Sequence, residues 1–137
     1  VIEPTFLSLE EILTLHADQL ERYGGAAGIR DLGLLESAVE TPRATFDGEY
    51  LYDGLFAMAA AYAFHIAESQ AFVDGNKRSG LNAALVFLLL NGWHVADPAG
   101  LLYDAMIAIS AKTMSKSELA ALLQQLAVPD TDDDEAL

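Results

Sequence analysis

A chain of 137 residues that is 53% hydrophobic can bury the core of one domain, and its lack of cysteine excludes a disulfide framework or a thiolate metal site. The formal net charge of −14, with only seven Lys and Arg, argues against direct nucleic-acid binding, which needs cations to neutralise phosphate. The longest apolar run, Ala83–Leu90, is far short of a membrane span, and no secretory leader pattern opens the sequence, so a cytoplasmic, membrane-free protein is expected.

Residues 1–7 read as an extended arm, with Pro4 opposing early helix. Ser8-Leu9-Glu10-Glu11 is a capping box; Leu9, Ile12, Leu13, His16 and Leu20 then follow helical spacing to about Arg22, where Gly24-Gly25 stops the helix. His16, on or beside that apolar stripe, reads as a core or boundary histidine. Asp31 is the expected N-cap of a second helix to about Glu40, with Leu34, Leu35, Ala38 and Val39 as its buried side. Pro42, Gly48 and the spaced aromatics Phe46, Tyr50 and Tyr52 fit a loop or short hairpin over 41–53, turning at Asp47-Gly48.

Two long apolar segments follow, 55–69 and 76–90, each sized for a buried central helix; Asn91-Gly92 closes the second. Trp93-His94-Val95 is a brief extended piece. Asp97-Pro98 is expected to restart helix as N-cap and first helical residue, running to about Ala111. A second capping box, Ser115-Lys116-Ser117-Glu118, opens a last helix to about Leu126. Residues 129–137 carry five acids in nine positions and read as a disordered tail, leaving 1–128 as the single domain. The predicted fold is all-α: about six helices with a small hairpin near 41–53.

The chemistry is concentrated between the central helices, in Gln70-Ala71-Phe72-Val73-Asp74-Gly75-Asn76-Lys77-Arg78-Ser79-Gly80. Free N–H groups and the positive end of a helix dipole favour an anion at the start of the second helix. Lys77 and Arg78 strengthen that preference, and Arg78 suits bidentate contact with phosphate. Gly75 lets the backbone come close, and Asn76 lies in the donor turn. Asp74 offers a hard oxygen to Mg²⁺ on a phosphate chain. Asn82, one turn after Arg78, either touches a nucleotide or makes a helix-packing hydrogen bond. On these residues alone, a capped turn with Asp74 or Asn76 as N-cap and solvated cations remains open. Phe72 reads as core.

This stretch resembles the central motif of the Fic/Doc (Fido) superfamily, His-Pro-Phe-x-Asp/Glu-Gly-Asn-x-Arg, in the Asn-Lys-Arg form of its death-on-curing (Doc) branch. Phe72, Asp74, Gly75, Asn76, Lys77 and Arg78 match; Gln70 stands at the place of the motif His and Ala71 at that of Pro. Gly28-Ile29-Arg30-Asp31, followed by Leu34-Leu35-Glu36-Ser37-Ala38, also resembles that branch, where it forms a structural corner; Arg30 is expected there as an ion-pair partner. The resemblance spans about residues 4–126. It implies the Fido fold, with the hairpin as a flap that lines up a target's backbone. It implies ATP with Mg²⁺, transfer of the γ-phosphate to a Ser or Thr hydroxyl of a translation factor like elongation factor Tu, and a small antitoxin partner.

By the same resemblance, position 70, Asp74, Lys77 and Arg78 are catalytic, and Gly75, Asn76, Lys77, Arg78 and Asn82 hold the nucleotide. Lys77 fills room that a Gly leaves in Fic adenylyltransferases, and Leu81 stands where those enzymes have a second Arg. Both favour phosphotransfer over adenylyl transfer, the alternative reading. Gln70 is the discordant residue, because an amide cannot take the hydroxyl proton near neutral pH. His65, about 140° away around the helix, is no substitute and reads as structural. The chain is expected to be nearly inactive, either as a toxin whose His has been replaced or as a naturally degenerate member that binds nucleotide or antitoxin without catalysis. No Glu precedes Gly or Asn, so the self-inhibitory motif Ser/Thr-x-x-x-Glu-Gly/Asn is absent and inhibition in trans is expected.

Overall fold

Small residues let the two central helices, α3 (Leu55–Ser69) and α4 (Asn76–Leu90), come into near backbone contact. Ala59, Ala60, Ala61, Ala63 and Ala67 of α3 are buried, and a Cβ placed on Gly80 of α4 would lie 2.6 Å from the Ala63 carbonyl oxygen. In this computed structural model, which describes residues 3–130, the other helices pack around that pair. α1 (Leu9–Tyr23) lies on α4, α2 (Leu32–Glu40) and α6 (Lys116–Leu126) on α3, and α5 (Leu101–Ser110) touches both. The core centres on Tyr62, Ile66, Phe72, Phe87 and Leu88, with Leu7, Ile12, Leu35, Met106, Ile109 and Leu119 contributed by the surrounding elements. Among the described residues, no helix is long and apolar enough to cross a membrane.

Both capping boxes form as the sequence predicts: Ser8 and Ser115 accept from Glu11 and Glu118 N–H, whose carboxylates accept in return. Asp31 caps α2 through Leu34 N–H. Leu34 itself is exposed, so the buried side of α2 is Leu35, Ala38 and Val39 only. The expected arm is docked. Leu7 is fully buried and its N–H donates to Tyr62 OH at 2.9 Å, while Thr5 exchanges two hydrogen bonds with the Asn91 amide. Burial pushes the Tyr62 phenol up to about 12.

The hairpin turns at Asp47-Gly48, joining β1 (Thr45–Phe46) to β2 (Glu49–Tyr50). Both turn residues have positive φ (53° and 81°), as a type I′ turn requires. A 3-10 turn, Thr41–Arg43, precedes it. A second two-stranded sheet was not anticipated: β3 (Trp93–Val95) pairs antiparallel with β4 (Ala127–Pro129). Pro129 therefore belongs to a strand rather than to the acidic tail, its missing N–H tolerated at a strand end, and Asp130 N–H continues to Gly92 O. Residues 131–137 lie outside the described residues. Asp97 does not start α5 directly. It caps from a distance, its carboxylate accepting from Leu101 and Leu102 N–H across the turn that ends at Gly100.

Tyr52, at the hairpin exit, is tied to α3 and α6. Lys116 Nζ donates to Tyr52 OH (2.8 Å) and approaches His65 Nε2 (3.0 Å), which Tyr52 OH also meets at 3.1 Å. His65 Nε2 is thus the acceptor of a neutral ring, and burial, followed by the Lys116 charge, lowers its pKa.

Two outcomes follow from this packing. Gly80→Ala pushes a methyl into the Ala63 carbonyl and lowers stability by about 1–3 kcal/mol in urea unfolding. His65 has a folded pKa below its ordinary 6.5, so the unfolded chain takes up the proton first as pH falls. The His65-linked stability is intact above that value, drains away as pH drops toward the folded pKa, and is constant below it. Melting curves of the parent chain and of His65→Gln will show the parent losing ground in that window.

Candidate functional site

Helix α3 ends at Gln70, whose left-handed backbone (φ 52°, ψ 33°) reverses the chain. Its side chain folds back, Nε2 donating to Ala67 O at 2.9 Å. Ser69 Oγ donates to Ile66 O and receives Ala71 N–H, which completes the stop. The chain then runs extended against residues 28–31: Arg30 and Asp31 N–H both donate to Ala71 O, and Val73 N–H donates to Gly28 O. This is the expected corner, but it is built from peptide groups. The Arg30 side chain is exposed and takes part in none of the ion pairs among the described residues, which join Arg22–Asp18, Arg43–Glu40 and Lys112–Glu68.

Phe72 is buried, as read from the sequence, and His16 covers its face with ring centroids 3.6 Å apart and planes within 6°. His16 Nε2 donates to the Asp74 carbonyl at 2.8 Å, so that nitrogen carries the hydrogen. The Asn76 side chain bonds both peptide groups of Phe72: Oδ1 accepts Phe72 N–H and Nδ2 donates to Phe72 O, each at 3.0 Å. The Asp74 carboxylate spans two segments, accepting Gly75 N–H (3.0 Å) and Ala26 N–H (3.3 Å).

Neither Asp74 nor Asn76 is the N-cap of α4. Gly75 is, with φ 78°, and no side chain caps the helix. The capped-turn alternative therefore does not describe this terminus, which borders a cleft of about 450 Å³. One wall carries Gln70, Asp74, Gly75, Asn76, Lys77 and Arg78; the other carries Gln19, Tyr23 and Gly24-Gly25 from the end of α1, with Tyr103 from α5. The Arg78 guanidinium lies over two rings, its Cζ 4.0 Å from the Tyr23 centroid and 4.4 Å from that of Tyr103. Neither Lys77 nor Arg78 forms an ion pair among the described residues. Two cations without ion-pair partners among the described residues thus line the cleft together with the Asp74 carboxylate.

Six of the seven expected site residues thus share one cleft. Asn82 is half-buried further along α4 and does not line it, and His65 lies in the separate Tyr52–Lys116 cluster. Among the described residues, the cleft is lined by no imidazole or thiol and by no amine other than Lys77; its carboxylate is that of Asp74. Each Asp74 oxygen keeps lone-pair capacity beyond its one N–H bond. That fits Mg²⁺ arriving on phosphates, which needs one or two protein carboxylates. Among the described residues, no group of three or more potential ligands could hold a metal alone.

The sequence reading missed Tyr23, Tyr103 and the His16 bond to Asp74. Tyr23 carried the nearest signal, since it immediately precedes the Gly24-Gly25 stop; nothing local marks Tyr103, which meets Arg78 only through the packing of α5 on α4.

Residues 6–88 match the Fic/DOC family. The chain is 36% identical over 120 residues to "Protein kinase doc" of Escherichia phage P1, covering 88% of this chain and 94% of the relative. It is 41% identical over 91 residues to "Toxin Doc" of Mycolicibacterium smegmatis (strain ATCC 700084 / mc(2)155), covering 66% and 68%. The protein belongs to the Fic/Doc family. Its relatives place it on the Doc side of that family, as the Asn76-Lys77-Arg78 form of the motif leads one to expect.

Asn76→Ala strips both partners from the buried Phe72 peptide groups. Urea unfolding will show a loss of roughly 1–3 kcal/mol or more, as unsatisfied buried polar groups cost. Asn76→Asp, which keeps the acceptor alone, will fall between it and the parent.

Proposed function

We propose that this chain is a Doc-type toxin, held in check by a small antitoxin, whose cleft takes ATP and directs its γ-phosphate to a Ser or Thr hydroxyl of a translation factor like elongation factor Tu. The observation that carries this reading is the uncapped start of α4 with Lys77 and Arg78 unpaired beside it, in the same cleft as position 70. The printed names of the relatives, one a kinase and one a toxin, support the same assignment. A translation factor as target makes the cytoplasm the place of action.

In this reading the α4 N–H groups and Arg78 hold the phosphate oxygens, and Lys77 neutralises charge as it shifts toward the leaving group. Asp74 would hold Mg²⁺ against the phosphate chain, where the ion supplies further charge neutralisation. The target hydroxyl oxygen forms a bond to the γ-phosphorus, the β–γ bridging bond breaks, ADP leaves, and the hydroxyl proton must go to a base at position 70. Gln70 cannot take it, and losing such a base typically costs ~10²–10⁴-fold. The left-handed backbone at Gln70 is one that His adopts more readily than most residues, so Gln70→His fits the site as built.

Gln70 also favours a second reading, a member that binds nucleotide or antitoxin without turnover. ATP labelled on the α- or the γ-phosphate, offered with elongation factor Tu, separates the readings. The expected result is γ-label on the factor with Gln70→His and almost none with the parent. Label from the α-phosphate would make the protein an adenylyltransferase. No transfer by a folded Gln70→His would remove the kinase reading for this acceptor.

A further inference from the structure

Tyr23 and Tyr103 have no place in the hydrophobic core and are not packed against it. Tyr23, in the last turn of α1, is 60% exposed, and Tyr103 of α5 is half-buried. What they share is the guanidinium of Arg78, which lies within 4.4 Å of both centroids and is approached from two different helices. We propose that Tyr23 and Tyr103 are positioning residues: together they clamp the faces of Arg78 so that only its donor edge is presented to a phosphate group in the cleft. This inference rests on the nucleotide reading given above.

The physical case has three parts. A guanidinium donates only in its plane, so rings on its two faces leave all five N–H groups free while restricting the plane's rotation. Arginine otherwise arrives with large rotamer freedom, and ordering it beforehand lowers the cost of binding. The clamp also matters in this particular chain, where 21 Asp and Glu compete for seven cations. Stacking attracts the cation to the ring quadrupoles without a carboxylate, so the charge stays available to an incoming anion. The placement of Tyr23 is itself tied to the motif loop. Ala26 N–H donates to Asp74, and Gly25 has no Cβ where one would stand 2.9 Å from that carboxylate. These contacts tie the loop after α1 to the loop before α4.

The test uses the full chain with Gln70 retained, titrated with MgATP by calorimetry, alongside the Arg78 Nε–H signal in proton–nitrogen NMR. Ring currents from two faces should shift that signal in the parent. Tyr23→Leu and Tyr103→Leu should each weaken MgATP binding by about 2- to 5-fold, at unchanged melting temperature, and move the Arg78 signal toward its free position. Tyr23→Phe and Tyr103→Phe keep the faces and should bind as the parent does. Arg78→Ala must weaken binding more than any of them. Parent-like affinity in both Leu variants, with Arg78→Ala impaired, would overturn the clamp and leave the nucleotide reading standing. A loss in the Phe variants equal to that in the Leu variants would also overturn it, since the hydroxyls would then be what matters. No MgATP binding by the parent, or none lost in Arg78→Ala, would overturn both.

Discussion

The structure depends on the two hydrogen bonds between the Asn76 side chain and the peptide groups of Phe72. The segment joining α3 to α4 is too short for secondary structure of its own, yet it passes through the interior, where unpartnered peptide groups are costly. Asn76 answers this by acting as a strand neighbour made of a single side chain. With Phe72 sunk in the core, His16 stacks on its ring and holds the next carbonyl but one. The first turn of α4 is thereby aimed before any ligand arrives. The extended pairing with residues 28–31 secures the other side of the same segment.

A second constraint is the closeness of the central helices. The alanine-rich face of α3 and Gly80 of α4 bring the backbones together, which sets the angle at which the α4 terminus meets the cleft. Ser79 lies beside this contact with its hydroxyl buried and unpartnered among the described residues. The neighbouring elements then supply what the two helices lack: α1 brings His16 and Tyr23, and α5 brings Tyr103.

Much of this was legible in the sequence because the signals are local. Both capping boxes, the Asp31 cap, the Asp47-Gly48 turn and the glycine stops act within a few residues of where they are read. The motif 70–80 was legible as a mark of the family for the same reason, through its Asn76-Lys77-Arg78 form. What escaped depends on contacts between distant segments. β4 pairs with β3 only once α6 has returned the chain to it. Asp97 looks like an immediate N-cap until the turn through Gly100 is in place. Arg30 looks like an ion-pair partner, although the corner uses its peptide group. Nothing near Asn76 in the sequence shows that its side chain holds the Phe72 peptide groups. The Tyr23–Arg78–Tyr103 stack draws on three helices, and no window along the chain contains it.

The unpaired cations in the cleft have a consequence for timing. A chain of net charge −14 repels an anion at long range, whereas the field of Lys77, Arg78 and the α4 terminus acts only nearby. Ions in solution screen charge beyond about 8 Å at physiological strength. Added salt should therefore quieten the distant repulsion before it touches the close attraction. An anionic ligand would arrive faster as salt rises over the dilute range and begin to leave faster only at higher concentrations. The acidic surface thus works as a barrier to approach, and the cleft as the well behind it.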